Sequence, residues 1–326
     1  MNIRTYKMKN VWLVYYENAA KKNMAFIEGI IADGVARGLS IKLVYVHDIE
    51  IALKTEVPDA VIVRYINPLL SRKLALLGIK LINNADVSWM CNNKALTVKA
   101  ANDKGIPHIP TVSISLDGNG YSFKKIYSPH DSKYNCLIAD LCEEDIQRIC
   151  TKELPKNISA HDYVIKSVCG HGGAEVMLLH DYIVNGFDIG TQEADAFDSY
   201  NEKYIIQPLM KEYNSDIRIY VMGNKIYKAV KRVPEQGFKS NFSLGGNVSL
   251  CEISKEMKAL AEKVFSLGYF DYAGIDCLCS KDGHIILNEI EDVVGARMLT
   301  ACNVDNYVND YVKHIYNKLY NTEDIV

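Results

Sequence analysis

Residues 287–299 read LNEIEDVVGARML, and the residues just before them, HIIL at 284–287, carry the pattern of a buried strand. Glu289, Glu291 and Asp292 therefore stand at the end of an apolar run, where burial makes an unpaired charge costly. The preceding stretch, YAGIDCLCSKDG at 272–283, is a second strand pattern closing on Asp-Gly, a strong hairpin signal. With Asp282 and Gly283 as a two-residue loop, Lys281 faces His284 and Asp276 falls directly opposite Glu289. Glu291, two residues on, shares the face of Glu289. The count thus brings Asp276, Glu289 and Glu291 together. Like charges facing each other destabilise a sheet, so the cluster calls for a cation or for a patch of lysine and arginine. Oxygen donors without His or Cys favour Mg²⁺ over zinc or copper, and Mg²⁺ fills its remaining positions with water and phosphate oxygens. A nucleoside triphosphate site follows. The plain alternative is a solvated strand end with surface acids.

A phosphate site also needs cations and backbone donors. Lys166 lies inside the apolar run YVIKSV at 163–168, where a lysine needs an anion or an exposed face. The glycine-rich CGHGGAE of 169–175 follows, and glycines let backbone N–H groups approach a phosphate. A second hairpin, DIRIYVMGNKIYKAVKRV at 216–233, turns at Gly223 and Asn224. Counting back from that turn sets Asp216 opposite Lys231, with Arg218 two residues along on the same face. Arg232, Lys239 and SNFSLGGN come next. Taken alone, this hairpin also fits an ion-paired, exposed sheet face.

The whole chain is consistent with a nucleotide enzyme of ordinary composition. Its 326 residues have room for two or three domains, and 48% are apolar and 24% charged. A net charge of −3 gives no global electrostatic case for nucleic acid. The apolar run Val11 to Tyr16 is too short for a signal peptide, and no stretch approaches the ~18 uncharged apolar residues of a membrane span. Neither a membrane nor a nucleic acid is expected as a partner, and a cytoplasmic location is. Nine cysteines, with only Cys277 and Cys279 close together, read as buried thiols, and the eight histidines show no zinc spacing.

From residue 1 to about 93, short β-branched runs (VWLVYY, IKLVYV, AVIVRY, IKLINN) alternate with helical stretches that end in glycine. That alternation predicts a parallel, doubly wound, Rossmann-like sheet without a GxGxxG. Residues 94–203 are less regular: a helix, a strand after two prolines, a polar segment at 116–135 read as loop, then DLCEEDIQRIC as helix and DYVIKSV as strand. From 204 to 326 the pattern turns to hairpins and two helices. Ser254 caps the first helix, with Met257, Leu260, Ala261, Val264 and Phe265 as its apolar stripe. The last helix carries Val308, Tyr311, Val312, Ile315 and Leu319. Both stripes are core.

The order of these pieces resembles the ATP-grasp family, and within it the RimK-like amino acid ligases. The matching features are the lysine of NNK at 92–94, YVIKSVCGHGG, IIQPLMKE, DIRIYVMGNKIYKAVKR, FKSNFSLGG, AGIDCL and LNEIE. The resemblance implies an α/β chain: an ATP-grasp fold behind an N-terminal Rossmann-like (pre-ATP-grasp) parallel-sheet domain. The implied division is 1–93, a central lid subdomain at 94–203, and a C-terminal subdomain with the metal site at 204–326. It gives Lys94 and Lys166 to the ATP phosphates and His171, Gly172 and Gly173 to a flexible phosphate lid. Gln207, Pro208, Leu209 and Met210 become the hinge that meets adenine, Glu212 the ribose contact, and Lys228 and Asn241 further nucleotide contacts. Arg218, Arg232 and Lys239, with Asp216, line the γ-phosphate and the acyl substrate. Asp276, Glu289 and Glu291 hold Mg²⁺, with Mn²⁺ as the alternative metal. RimK-like ligases usually read Glu-x-Asn before Ser-Pro, whereas here Glu-x-Glu precedes DVVG, and the hinge has Pro208 where an acid is common.

The chemistry implied is phosphoryl transfer from ATP to a carboxylate, giving an acyl phosphate that an amine converts to an amide. The substrates are a small-molecule or peptide carboxylate and amine, and a homo-oligomer is compatible with the pattern. Two other outcomes fit the same resemblance: another ATP-grasp phosphotransferase, and a nucleotide-binding regulator without turnover. Arg64, Tyr65 and the DVVGAR segment are candidates for substrate selection.

Overall fold

The computed structural model describes residues 8–117, 120–170, 175–186, 202–233 and 247–321. The expected site residues His171, Gly172, Gly173, Lys239 and Asn241 lie outside them. Within the described residues the first sheet comprises β1 (Lys9–Tyr15), β2 (Leu39–Tyr45), β3 (Ala60–Val63) and β4 (Lys80–Ile82), in the order β2-β1-β3-β4. Every neighbouring pair is parallel, as the alternation of strands and helices requires. One face packs on the helix Met24–Ala36 through Ile27 and Ile30, the other on Pro68–Leu76 through Leu74.

The second sheet contains β5 (Thr111–Asp117), β6 (Gly120–Ile126), β7 (Tyr163–Ser167), β8 (Val176–Leu178) and β9 (Glu202–Pro208), ordered β6-β5-β9-β7-β8 and antiparallel throughout. Here the reading of 116–135 as loop is corrected, because β6 and the start of the helix Ser132–Asp140 lie in it. β6 is an edge strand whose middle residues are exposed on both faces, so it lacks the apolar alternation that marks a strand.

The third sheet comprises β10 (Tyr213–Met222), β11 (Lys225–Val233), β12 (Asn247–Cys251), β13 (Tyr272–Ser280) and β14 (Ile285–Glu291), ordered β12-β11-β10-β13-β14. One face packs Ile217, Ile219, Ile275, Cys277, Leu287 and Ile290 on the helix Lys255–Phe265. Ser254 caps that helix by accepting from Met257 N at 3.2 Å. At the end of the other face, Tyr220, Val230 and Tyr272 join the first sheet and the helix Tyr307–Tyr320 in one core. Asn83, just past β4, fixes this junction: its amide donates to Tyr272 O (2.9 Å) and Asp292 O (2.7 Å) and accepts from Asp271 N (2.6 Å).

Both hairpin counts need revision. Gly223 and Asn224 do form a two-residue turn with φ of +60° and +55°, and Met222 pairs with Lys225. A bulge after Tyr220 then shifts the ladder by one, so Asp216 faces Arg232 and not Lys231. In β13–β14 the loop has three residues, because Ser280 N bonds His284 O at 2.9 Å and Gly283 N bonds Ser280 O at 3.1 Å, with Gly283 at φ +87°. A second bulge at Asn288 compensates, so that Asp276 still pairs with Glu289. The expected pair survives through two offsets that cancel.

Candidate active site

Asp276, Glu289 and Glu291 offer carboxylate oxygens that all lie within 4.8 Å of one another. Asp276 is central on β13 and 1% exposed, whereas the side chains of Glu289 and Glu291 on the edge strand keep 31% and 32% exposure. Arg218, paired with Asp276 across the β10–β13 ladder, explains how such a cluster is tolerated. Its Nε and Nη2 donate to the two oxygens of Asp276 at 2.6 Å each, and its Nη1 reaches Glu291 at 2.8 Å. Arg232 bonds Asp216 and lies 3.0 Å from Asp276. A Cβ on Gly274 would come within 3.1 Å of Arg218 Cδ, so glycine there lets the arginine stem lie against the sheet.

A helix start and the second sheet supply one further cation each. Lys94, at the start of a helix capped by Asn93, donates to Gly170 O and lies 4.0 Å from Glu289. Lys166 on β7 donates to Asn288 Oδ1 at 3.1 Å. Burial lowers its ammonium to about 8, with Lys94 pushing the same way and Glu289 and Asp216 opposing. Asp276 is driven up by burial but more strongly down by Arg218 and Arg232, and ends below its usual value. Glu291 ends above its usual value, because burial and the neighbouring acids outweigh Arg218.

Four cations (Lys94, Lys166, Arg218, Arg232) thus face four carboxylates (Asp216, Asp276, Glu289, Glu291). The protein balances its own charge here, and the compensator inferred from the acids is already present as arginine. A divalent ion still fits. The acids offer only hard oxygen donors, each carboxylate has more lone pairs than its arginine or lysine partners use, and two of the three retain exposed surface.

Other expected site residues are placed with mixed results. Gln207 is buried, its amide donating to Thr111 Oγ1 at 2.9 Å while Oε1 has no partner. Pro208 closes β9, Leu209 N is spent on Asp162 O at 2.8 Å, and Met210 packs with Ile109, Tyr134 and Ile286. Glu212 is exposed and paired with Lys133. Lys228 is exposed on β11, opposite Tyr220 and 5.9 Å over the Tyr227 ring, apart from the ion network. Asn288 was missed. The apolar spacing of β14 carried the signal, since its core-facing residues are 285, 287 and 290, and the step of three marks the bulge that turns Asn288 toward Lys166.

Asp292 does not join the cluster. It is buried, accepts from Asn92 Nδ2 at 3.0 Å on Oδ1, and has no partner on Oδ2. Burial pushes its carboxyl up to about 7, against hydrogen bonds from Ser88 and Asn92. Between about pH 4 and 7 the folded protein therefore holds a proton that the unfolded chain has lost, so stability falls as pH rises across that window. The expected result is that Asp292→Asn gains on the wild type by about 2–4 kcal/mol between pH 4 and pH 8. Urea unfolding at several pH values measures this, and a gap independent of pH would contradict it.

The sequence comparison decides the family. A family model for the RimK-like ATP-grasp domain matches residues 144–312. The chain belongs to the RimK-like ATP-grasp family. Human N-acetylaspartylglutamate synthase A is 27% identical over 262 residues, covering 77% of this chain and 58% of the relative. A probable alpha-L-glutamate ligase of Vibrio parahaemolyticus is 28% identical over 166 residues, covering 50% of this chain and 54% of the relative. The chain spans just over half the length of these RimK-like relatives. D-alanine–D-alanine ligase from Bacillus anthracis, solved with ATP, superposes with a TM-score of 0.63 at 13% identity, covering 96% of this chain and 98% of that one. A RimK domain ATP-grasp protein from Sphaerobacter thermophilus gives 0.56 at 14% identity over 95% and 99%. These structures share the ATP-grasp fold expected from the sequence, and among the described residues no helix is long and apolar enough to cross a membrane.

Proposed function

We propose that this RimK-like chain is an ATP-dependent carboxylate–amine ligase that makes an amide or peptide bond, converting ATP to ADP and phosphate. The observation that carries the reading is the junction itself: three acids within 4.8 Å on the third sheet, with Lys166 brought beside them by the second sheet and Lys94 by the start of the helix Lys94–Asp103. The names of the relatives, glutamate ligases and an N-acetylaspartylglutamate synthase, favour an amino acid as one substrate. Nine cysteines without the spacing of a disulfide framework fit a reducing compartment such as the cytoplasm.

In this reading a carboxylate oxygen attacks the γ-phosphorus of ATP, the bond to the ADP oxygen breaks, and the acyl phosphate forms. An amine then attacks the acyl carbon, phosphate leaves with the electron pair of the C–O bond, and the amine proton passes to water or a carboxylate. Mg²⁺ or Mn²⁺ held by Asp276, Glu289 and Glu291 would neutralise phosphate oxygens. Lys94 and Lys166 hold the phosphates, and an anion there raises the ammonium of Lys166 back toward its ordinary value. Arg218 and Arg232 meet the carboxylate being activated, and Arg232 Nε is a buried donor without a partner. Gln207 Oε1, a buried acceptor without a donor, suits the exocyclic amine of adenine, and Glu212 serves the ribose once released from Lys133. Lys228, His171, Gly172, Gly173, Lys239 and Asn241 stay as family-derived assignments. The working domain plan is 1–93, 94–203 and 204–326, with β9 carrying the chain from the second unit into the third.

The test is ADP release with Mg²⁺, ATP and pooled amino acids and carboxylic acids, with products read by mass spectrometry. A ligase releases ADP only with carboxylate and amine together and yields their condensed mass. A stable phosphorylated product without amine would identify a phosphotransferase, and ATP binding without ADP a regulator.

A further inference from the structure

Arg64 follows β3 directly, at the carboxyl edge of the first sheet, and Tyr15 ends the adjacent β1. The strand order β2-β1-β3-β4 reverses between these two strands, and open parallel sheets bind ligands in the crevice beyond such a point. The arginine is 7% exposed, with its guanidinium 5.3 Å over the Phe26 ring and Nε donating to the Tyr15 hydroxyl at 3.3 Å. Nη2 donates to Val294 O at 2.9 Å, three residues beyond Glu291. The arginine thus touches the segment that leaves the acid cluster.

Its partners are all neutral. Among the described residues no carboxylate lies within ion-pair distance of Arg64, and Asp292, two residues before Val294, is bound instead to Asn92. A cation this buried is costly without an anion, and packing on aromatic rings recovers only part of that cost. Nη1 makes no hydrogen bond to a described residue and is not sealed from solvent. Tyr272, whose hydroxyl senses the charge of Arg64, is buried and has no hydrogen-bond partner. The free Nη1 of Arg64 therefore stands at the end of the first sheet where the strand order reverses, with its neighbour Nη2 on the segment that leaves the acid cluster.

We propose that Arg64 binds a carboxylate of the amino-acid substrate that stays out of the reaction, and so helps to decide which amino acids the site accepts. This rests on the ligase reading above. With Nε held by Tyr15 and Nη2 by Val294, the planar guanidinium aims its free Nη1 in one fixed direction, where lysine would offer only a mobile point charge. The bond to Val294 O couples the bound carboxylate to the loop following Glu291.

Calorimetry on the full chain with Mg²⁺ and a non-hydrolysable ATP analogue, using L-glutamate as the probe, tests this. Wild type is expected to bind L-glutamate, and R64Q to bind it roughly 10- to 100-fold more weakly with nucleotide affinity unchanged. R64K, which keeps the charge, should fall between them and serves if R64Q fails to fold. L-glutamine and L-isoglutamine each lack one carboxylate, and for one of them the R64Q penalty should vanish. Equal binding of L-glutamate by wild type and both variants would overturn the proposal, as would wild type that binds nucleotide but not L-glutamate. Wild type that fails to bind the nucleotide would instead overturn the ligase reading.

Discussion

Asp276→Asn is expected to destabilise the protein by about 3–5 kcal/mol, because it leaves two buried guanidinium groups without their shared counter-ion. Arg218 holds both oxygens of Asp276 at 2.6 Å, and Arg232 lies 3.0 Å away. All three side chains are within a tenth of full burial, so water cannot replace the lost charge. The asparagine keeps the shape and one acceptor, which isolates the charge as the cause. Chemical unfolding near pH 7 measures the loss. A carboxyl held below its ordinary value contributes its stability above about pH 4, so the difference between wild type and variant should shrink as pH falls below that. A change under about 1 kcal/mol at neutral pH would show that the ion network is not structural.

Glu289→Gln is expected to leave stability nearly untouched and to lower ADP formation by roughly 10²- to 10³-fold. The side chain is 31% exposed, its ion pair among the described residues is with Lys94 at 4.0 Å, and pairs of that kind contribute about 1 kcal/mol or less. What it supplies is one of three hard oxygen donors for a divalent ion. Unfolding midpoint and steady-state ADP release, measured on the same preparation, check both halves of the expectation. Retained turnover would remove Glu289 from the metal set, and loss of folding would make it structural. The two substitutions therefore separate acids that look equivalent along the chain. One is the keystone of a buried ion network and the other an exposed ligand.

The amino-acid sequence by itself determined the parallel first sheet, the existence of both hairpins and the two capped or striped helices, whereas Asp276 meets Glu289 as counted only because a longer loop and a bulge offset each other. The former follow from local periodicity and turn chemistry, which act over a few residues. It could not settle register beyond a bulge, because one extra residue flips which neighbour faces which; hence Lys231 was placed where Arg232 stands. It could not reveal β6, whose pairing leaves no apolar trace on an exposed edge. Nor could it tell that Arg218, and not a metal alone, neutralises the acids, or that Asp292 turns away to Asn92. Those outcomes rest on contacts between residues 58 and 200 positions apart, and only the packing of sheets against one another decides which charges share a space.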